Sequence, residues 1–396
     1  MSLVPRIKFA SAFSRKLSLR DALDDALGEV SDLLDAPADL VFVFFSSQFV
    51  SELDDQFFRV SQALSTQNVV GCTAESLICD RNEIEFEPGV AIWAASLPDV
   101  EIELFHLMFD REKDGGAFLG WPEKLTGDWP ADSFLMTVAD PFSFPMDVLL
   151  ERLNNDRPAT KIVGGMASGG AAPGDSQLVL GDKIFDRGAV VAHISGDIKM
   201  QTVLSQGCRP VGEPMVITQA EGNIIQELGG FSALEKLKST FEVLPTREQK
   251  LMQTGLHIGR VVDELADNLA AGDFLVRNVI GFDEQSMGVV VADYFRPGQT
   301  VQFHIRDHET AHVDLQRLLS EKSRGKDRLL GGLAFSCNGR GSRLFETAGH
   351  DANLIQDFLG PIPVAGFFAA GEIGPVGGKN FMHGFTTSLA LFERKA

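Results

Sequence analysis

Cysteine is scarce in this chain. Four occur in 396 residues, Cys72, Cys79, Cys208 and Cys337, and no two form a C-x-x-C pair. That leaves no structural zinc motif, and so low a number fits a reducing compartment better than a disulfide framework. Positive charge is also short. Thirty-five Lys and Arg stand against 55 Asp and Glu, a net charge of −20. A surface of that sign repels phosphate backbones and anionic lipid headgroups, so neither nucleic acid nor a membrane is expected as a partner. It suits solubility in the cytoplasm. No apolar run reaches the length of a membrane span. The first twenty residues carry Arg6, Lys8, Arg15, Lys16 and Arg20 and no acid, as a transit peptide would. No long apolar core or cleavage signal follows, and "IKFASAF" reads as a first strand.

What is present is the material of a globular protein. Hydrophobic content is 44% and charged content 23%, ordinary values for a soluble domain. The length predicts two or three domains and a sizeable core.

One order of events recurs three times along the chain. "LVFVFFSSQF" from Leu40 precedes a helical stretch and then "VVGCTAESLI" from Val69. "SFLMTVADPF" from Ser133 precedes "PMDVLLERLNN" and then "IVGGMASGG" from Ile162. "GGLAFSCNGRG" from Gly331 precedes "HDANLIQDFL" and then "VAGFFAAGEIG" from Val364. Gly71, Gly164 and Gly366 align and are expected to end strands, with Ala74, Ala167 and Ala369 three residues on. Each segment then supplies another apolar strand: "VAIWAAS", "AVVAHIS" and "GFTTSLALF". Short apolar runs suit buried strands, and the intervening helix makes the first two of each segment a parallel pair with a right-handed crossover. Later strands, joined by turns such as "DRNE" and "GDK", read as antiparallel. The fold class is therefore α/β (α+β), with mixed sheets flanked by helices and built from repeated β-α-β-loop-β units.

The recurrence breaks between about residues 206 and 330. There "MVITQAEGNIIQEL" reads as a hairpin around Glu221-Gly222-Asn223, "ALEKLKSTF" as a helix, and "DFLVRNVIGF", "MGVVVADYF" and "TVQFHIRD" as strands. "SQGCRPVGEP" reads as a seam near residue 208. One large domain with an insertion is the alternative.

His308-Glu309-Thr310-Ala311-His312 matches H-E-x-x-H, the zinc-peptidase pattern. Catalytic zinc needs a third protein ligand and an open position. No further histidine follows at the spacing that would supply it. The motif falls in the first turn of a helix capped by Asp307, with Leu315 and Leu319 on the same face. No metal site is expected.

Two stretches carry more chemistry. Cys337-Asn338-Gly339-Arg340-Gly341 directly follows a strand. Glycines flanking an arginine permit positive φ and outward N–H groups, an anion-binding concavity with a bidentate clamp. The alternative is a tight turn whose arginine pairs with a structural acid. The second stretch runs from Gly366 to Phe392. Gly366 and Gly371 make it glycine-rich, and Glu372, Asn380 and His383 are its polar groups. It reads as a ligand loop or as a glycine-rich hairpin with Glu372 paired.

These two stretches and "VFVFFSSQF…NVVGCTAESLI" resemble the FIST domain, and "FLVRNVIGFDEQSMGVVVADYFRPGQTVQFHIRD" is similar to that family's middle segment. The resemblance covers nearly the whole chain. It implies an N-terminal domain over 1–207 with two repeat units. It also implies a C-terminal domain over 208–396 with the inserted strands and the third unit. It further implies a cytoplasmic sensory protein that binds a small, amino-acid-like ligand and signals through a separate protein. No cofactor is implied. Arg340 would clamp a ligand carboxylate, with Cys337, Asn338, Gly339, Gly341, Gly366, Gly371, Glu372, Asn380, His383, Gly71, Cys72 and Thr73 around it. The family motif G-C-T-x-x-G-E is broken here. Gly71-Cys72-Thr73 is followed by Ala74-Glu75 and then Ser76-Leu77 where Gly-Glu is usual. Two other readings remain. One is a protein-interaction scaffold, as in F-box relatives. The other is a cysteine-dependent hydrolase or transferase, with Cys337 or Cys72 as nucleophile and His383 as base.

Overall fold

The computed structural model describes residues 7–53, 55–112, 115–265, 269 and 271–395. Two compact units emerge. The first comprises residues 1–204, 315–382 and 386–396, and the second comprises 205–314 with 383–385. Residues 208–396, read from the sequence as one domain, are thus distributed over both units. Arg6 lies outside the described residues.

The first unit opens with β1 (Lys8–Ser14), α1 (Leu19–Leu34), β2 (Leu40–Ser46), α2 (Gln56–Ala63) and β3 (Val69–Ala74). A hairpin, β4 (Ser76–Cys79) and β5 (Asn82–Glu85), leads to β6 (Val90–Ser96). The second segment has β7 (Val100–Glu112), β8 (Gly115–Leu119), β9 (Phe134–Ala139), α3 (Met146–Asp156) and β10 (Lys161–Met166). Its hairpin is β11 (Leu178–Leu180) and β12 (Lys183–Phe185), followed by β13 (Ala189–Gly196) and β14 (Ile198–Gln206).

The second unit then begins with β15 (Cys208–Glu221), β16 (Ile224–Leu228) and β17 (Phe231–Ser232). It continues with α4 (Ala233–Val243), α5 (Thr246–Thr254), β18 (Leu256–Val261), β19 (Phe274–Asp283), β20 (Gly288–Val291) and β21 (Thr300–Arg306). Helix α6 (His308–Ser323) follows. The chain returns through β22 (Leu329–Cys337), α7 (His350–Leu359), β23 (Val364–Ala369), the hairpin β24 (Glu372–Val376) and β25 (Lys379–His383), and β26 (Thr386–Arg394).

Three sheets make up the first unit, and their strand orders correspond. They run β1-β6-β2-β3-β11-β12, then β8-β7-β13-β9-β10-β24-β25, then β14-β26-β22-β23-β4-β5. In each, the strands either side of the crossover helix are parallel: β2 with β3, β9 with β10, β22 with β23. The later strands β6, β13 and β26 run antiparallel to β2, β9 and β22. The hairpins, however, do not stay with their own segments. The first segment's hairpin joins the third sheet beside β23, the second's joins the first sheet beside β3, and the third's joins the second sheet beside β10. The exchange is cyclic. "VVGCTAESLI", expected as a strand ending at Gly71 and a small-residue loop, is two strands, β3 and β4, in different sheets.

One face of every sheet contributes to a shared apolar core that includes Phe44, Trp93, Phe134, Val163, Phe335, Phe367 and Phe392. The opposite faces are covered by helices, α1 and α2 on the first sheet, α3 on the second and α7 on the third. Burial on both faces explains the unbroken apolar runs. Gly71, Gly164 and Gly366 lie inside β3, β10 and β23 rather than at their ends. A Cβ at these positions would sit 2.2, 1.8 and 1.7 Å from the carbonyl oxygens of Val43, Thr137 and Ala334 on the parallel neighbours. The three glycines mark the close approach of each parallel pair.

The second unit is an all-antiparallel sheet in the order β15-β21-β18-β19-β20-β16-β17, with β15 also pairing β16 so that the sheet closes on itself. Ile217, Ile225, Ile258, Val289, Val301 and Phe303 fill its interior. The expected hairpin turns at Gly222-Asn223, between β15 and β16. Among the described residues no helix is long and apolar enough to cross a membrane.

Candidate functional site

β22 ends at Cys337, and the chain turns through Asn338, Gly339 and Arg340 into a single 3-10 turn, Gly341–Arg343. Gly341 has φ 58°, and a Cβ there would meet the Glu85 carboxylate at 2.7 Å. The Gly339 N–H donates to Cys337 Sγ at 3.4 Å.

Arg340 is fully buried. Its Nε and Nη2 donate to Asp351 Oδ2 and Oδ1 at 2.7 and 2.9 Å, a bidentate pair. Asp351 also accepts from Ser336 Oγ and Thr387 Oγ1, both at 2.8 Å, and lies 2.8 Å from His350 Nδ1. Burial by itself would raise the Asp351 pKa, but Arg340 and His350 outweigh it and hold the carboxyl well below the usual range. The expected carboxylate clamp is therefore already closed on a residue of the chain, as the structural-turn reading allowed. One part stays open. Arg340 Nη1 is buried and has no hydrogen-bond partner among the described residues.

Glu372 begins β24 and is also fully buried. Its Oε2 accepts from the Thr386 N–H at 3.0 Å and from Thr386 Oγ1 at 2.8 Å. Oε1 has no partner. Burial pushes this carboxyl up to about 8, against the opposing pull of Thr386, Arg340 and Cys337. Arg340, Glu372 and Cys337 thus meet, as the sequence reading grouped them.

The remaining expected site residues serve otherwise. Asn380 ties the β24–β25 hairpin down, accepting from the Ile162 N–H at 2.9 Å and donating to Thr160 O at 2.8 Å and Asn154 Oδ1 at 3.1 Å. Gly71 and Gly366 are the packing glycines described above. Cys72 is a core residue whose thiol burial pushes up. Thr73 Oγ1 accepts from the Gln177 N–H at 2.9 Å, fixing the incoming second hairpin. Gly371 O accepts from the Met166 N–H at 2.8 Å. Asn338 N–H donates to Ala369 O at 2.9 Å. His383 groups with the second unit and Cys337 with the first. Glu75, beside the broken motif, is held by Arg343 at 2.7 and 2.9 Å.

The H-E-x-x-H stretch does open α6, as expected. Asp307 accepts from the Glu309 N–H at 3.1 Å. Glu309 pairs with Arg247 at 3.0 Å. Among the described residues no group of three or more His, Cys, Asp or Glu is placed to hold a metal ion.

No motif marks a second site. In the second unit α4 and α5 stand off from β18 and β19 and leave a cleft of ≈ 1120 Å³. Leu234, Leu237, Phe241, Leu256, Ile280 and Phe282 make it mostly apolar. His257, 4% exposed, lies in its lining beside Asn278, and neither ring nitrogen is in a well-aligned hydrogen bond among the described residues. Burial, with Arg306 and His304 nearby, lowers its pKa to about 4, so the ring is neutral at pH 7. One nitrogen is then a donor and the other an acceptor. Lys238 and Arg306 also line the cleft, while the one acid, Glu235, is engaged at the Ser232 cap of α4.

An apolar cleft with few convergent polar groups on a mixed α/β scaffold has the usual form of a small-ligand seat. The chain belongs to the FIST family: the FIST N domain matches residues 39–230 and the FIST C domain residues 233–375. FIST domains are associated with small-ligand sensing in signal transduction. An uncharacterized protein of Mycobacterium tuberculosis is 40% identical over 375 residues, 94% of this chain and 96% of its own. One of Mycobacterium bovis is 39% identical over 376 residues, 94% and 95% of the two chains. A solved cyanuric acid hydrolase aligns over 98% of this chain and 100% of its own at 9% identity and a TM-score of 0.31, too distant to inform fold or activity.

Proposed function

We propose that this FIST protein is a cytoplasmic small-ligand sensor whose ligand seat is the cleft of the second unit. The observation that carries this is the apolar cleft itself, with buried His257 in its lining beside Asn278 and neither ring nitrogen in a well-aligned hydrogen bond among the described residues. A buried polar group without a partner costs about 1–3 kcal/mol, which a ligand's polar atom recovers on binding. The ligand is amino-acid-like in bearing a carboxylate beside an apolar body. Lys238 and Arg306 favour the acid, and Phe241, Leu256, Ile280 and Phe282 favour the body. The seat is not the Arg340 loop, because that guanidinium's fork is closed on Asp351. The four thiols and the acidic surface support a cytoplasmic location, and signalling passes through a separate protein.

A thermal-shift panel tests this, run with free amino acids, aromatic carboxylates and medium-chain fatty acids. Apolar carboxylates are expected to raise Tm, by about 2.7 kcal/mol of stabilisation at a hundredfold excess over Kd. Ile280→Lys, at a 60% exposed position, should leave the fold intact and abolish the shift. A shift that survives Ile280→Lys, or none with any apolar acid, would sink the proposal.

A further inference from the structure

The cleft leaves one cluster unused, the Cys337–Arg340–Glu372 group of the first unit. Cys337 differs from the other three cysteines. Cys72, Cys79 and Cys208 are at most 1% exposed, whereas Cys337 is partly open to solvent at the end of β22. Around it the fold assembles groups that its local sequence does not supply together. Glu372, brought by β24, lies close enough to the thiol for Cys337 to help hold its carboxyl down, and its Oε1 makes no hydrogen bond among the described residues. Arg340 acts on the thiol electrostatically and keeps Nη1 unpartnered. Both side chains are fully buried. The Gly339 N–H points at Sγ, and Arg343 adds a second cation. A donor and a carboxyl oxygen, each buried without a partner and set beside a solvent-reachable thiol, are what a bound oxygen species would satisfy.

We propose that Cys337 is a peroxide-reactive thiol, oxidised to a sulfenic acid by hydrogen peroxide or an organic hydroperoxide, with Glu372 as its proton shuttle and Arg340 Nη1 as the donor to the reacting oxygen. The step balances. Cys337 passes its thiol proton to Glu372. The thiolate attacks the distal oxygen of ROOH, the S–O bond forms and the O–O bond breaks. Sulfur loses two electrons and the peroxide gains them. The departing alkoxide takes the proton back from Glu372, so that RSH-type Cys337 and ROOH become Cys337–SOH and ROH. The Arg340 N–H stabilises the oxygen that develops negative charge. A carboxyl whose burial sets it near 8 exists in both protonation states around neutral pH, as a shuttle requires. Sulfenic acids form at solvent-accessible thiols that can be deprotonated. Arg340 also holds Asp351, so the oxidation state of Cys337 adjoins the ion pair that fixes the β22–α7 connection.

The test uses the full-length protein, limiting hydrogen peroxide, a dimedone-type sulfenic acid trap and mass spectrometry of each cysteine. The reference is a peptide of the same local sequence, FSCNGRG, which has the arginine but not Glu372. Cys337 in the folded protein should be trapped faster than the peptide by at least about tenfold, the low side of what positioned proton transfer contributes. Cys72, Cys79 and Cys208 should remain unlabelled. Glu372→Gln should lower the rate towards that of the peptide. A wild-type rate no faster than the peptide would overturn the proposal without any variant having to fold. An unchanged rate in a folded Glu372→Gln protein would overturn the shuttle.

Discussion

Replacing Glu372 with glutamine is expected to stabilise the first unit at neutral pH and to leave it unchanged in acid. The carboxyl is fully buried and its pKa is raised to about 8 from an ordinary value of 4.5. A carboxyl raised on folding adds stability that is complete below its unfolded pKa and is lost as pH climbs through the folded value. At pH 7 the unfolded chain carries Glu372 ionised while the folded one holds it largely protonated, with a minor ionised fraction. At about 1.36 kcal/mol per pKa unit, the gap of about 2.5 units between 4.5 and 7 amounts to roughly 3 kcal/mol. Glutamine is neutral in both states and removes this cost. Its carbonyl can still accept both Thr386 hydrogen bonds. Loss of the attraction to Arg340 will trim the gain. The assay is thermal unfolding of wild type and Glu372→Gln between pH 4 and 9. At roughly 2–4 °C per kcal/mol for a body of this size, the variant should melt several degrees higher at pH 7, more at pH 9, and equally at pH 4. A uniform destabilisation at every pH would refute the reasoning and make Glu372 an ionised structural partner of Arg340.

Other outcomes follow from the same geometry. Arg340→Ala, or Asp351→Ala, should destabilise by about 3–5 kcal/mol in urea unfolding, because each strands the other buried charge. Gly366→Ala should cost at least about 1–3 kcal/mol, because its Cβ would stand 1.7 Å from Ala334 O, and loss of soluble expression is the readout. Arg343→Ala should cost less than about 1 kcal/mol, since its pair with Glu75 is exposed. His257 and His304 of the second unit are both lowered by burial to about 4. Their neutral-form stabilisation is complete above about 6.5 and is lost as pH falls towards 4. Hydrogen exchange by fragment should therefore show protection of the second unit falling between pH 6.5 and 4.

The strands and crossover helices were legible because burial on both faces leaves apolar runs that local reading detects. The parallel pairs, the later antiparallel strands and the Gly222-Asn223 turn all lie where pattern placed them. The hairpin exchange was not legible. Ser76–Cys79 has the same composition whether it continues its own sheet or joins another. Only the chain's bend at Glu75 decides, and that bend depends on Ser168, whose Oγ accepts the Glu75 N–H at 3.0 Å. The Arg340 loop was found through its glycines, but Asp351 was not picked as the partner. An acid at the start of a helix reads as a helix-end charge until the fold turns the arginine onto it. The cleft was invisible because His257 alternates along a strand like any half-buried residue.

The exchange also explains why the Cys337 cluster sits in the third segment. Three acids from residues 75–85 arrive on the third sheet's hairpin or at its root and secure the loop after β22. Glu75 grips Arg343. Glu85 accepts from the Ser342 N–H at 3.0 Å. Glu83 caps α7, accepting from the Asp351 and Ala352 N–H groups at 2.9 and 3.1 Å, where a helix start favours negative charge. These partners lie 257 to 269 residues apart in sequence. Glu372 is likewise set by its pairing opposite Gly165 of the second segment. Arg340, Asp351 and Glu372 therefore acquire their positions only when all three sheets have closed. A lone β22–α7–β23 segment has no counterpart of Glu83 or Glu85 and no β10 to place Glu372. The thiol environment is then a property of the closed ring of hairpins, and the FSCNGRG peptide is the right reference for it because it lacks every one of these contacts.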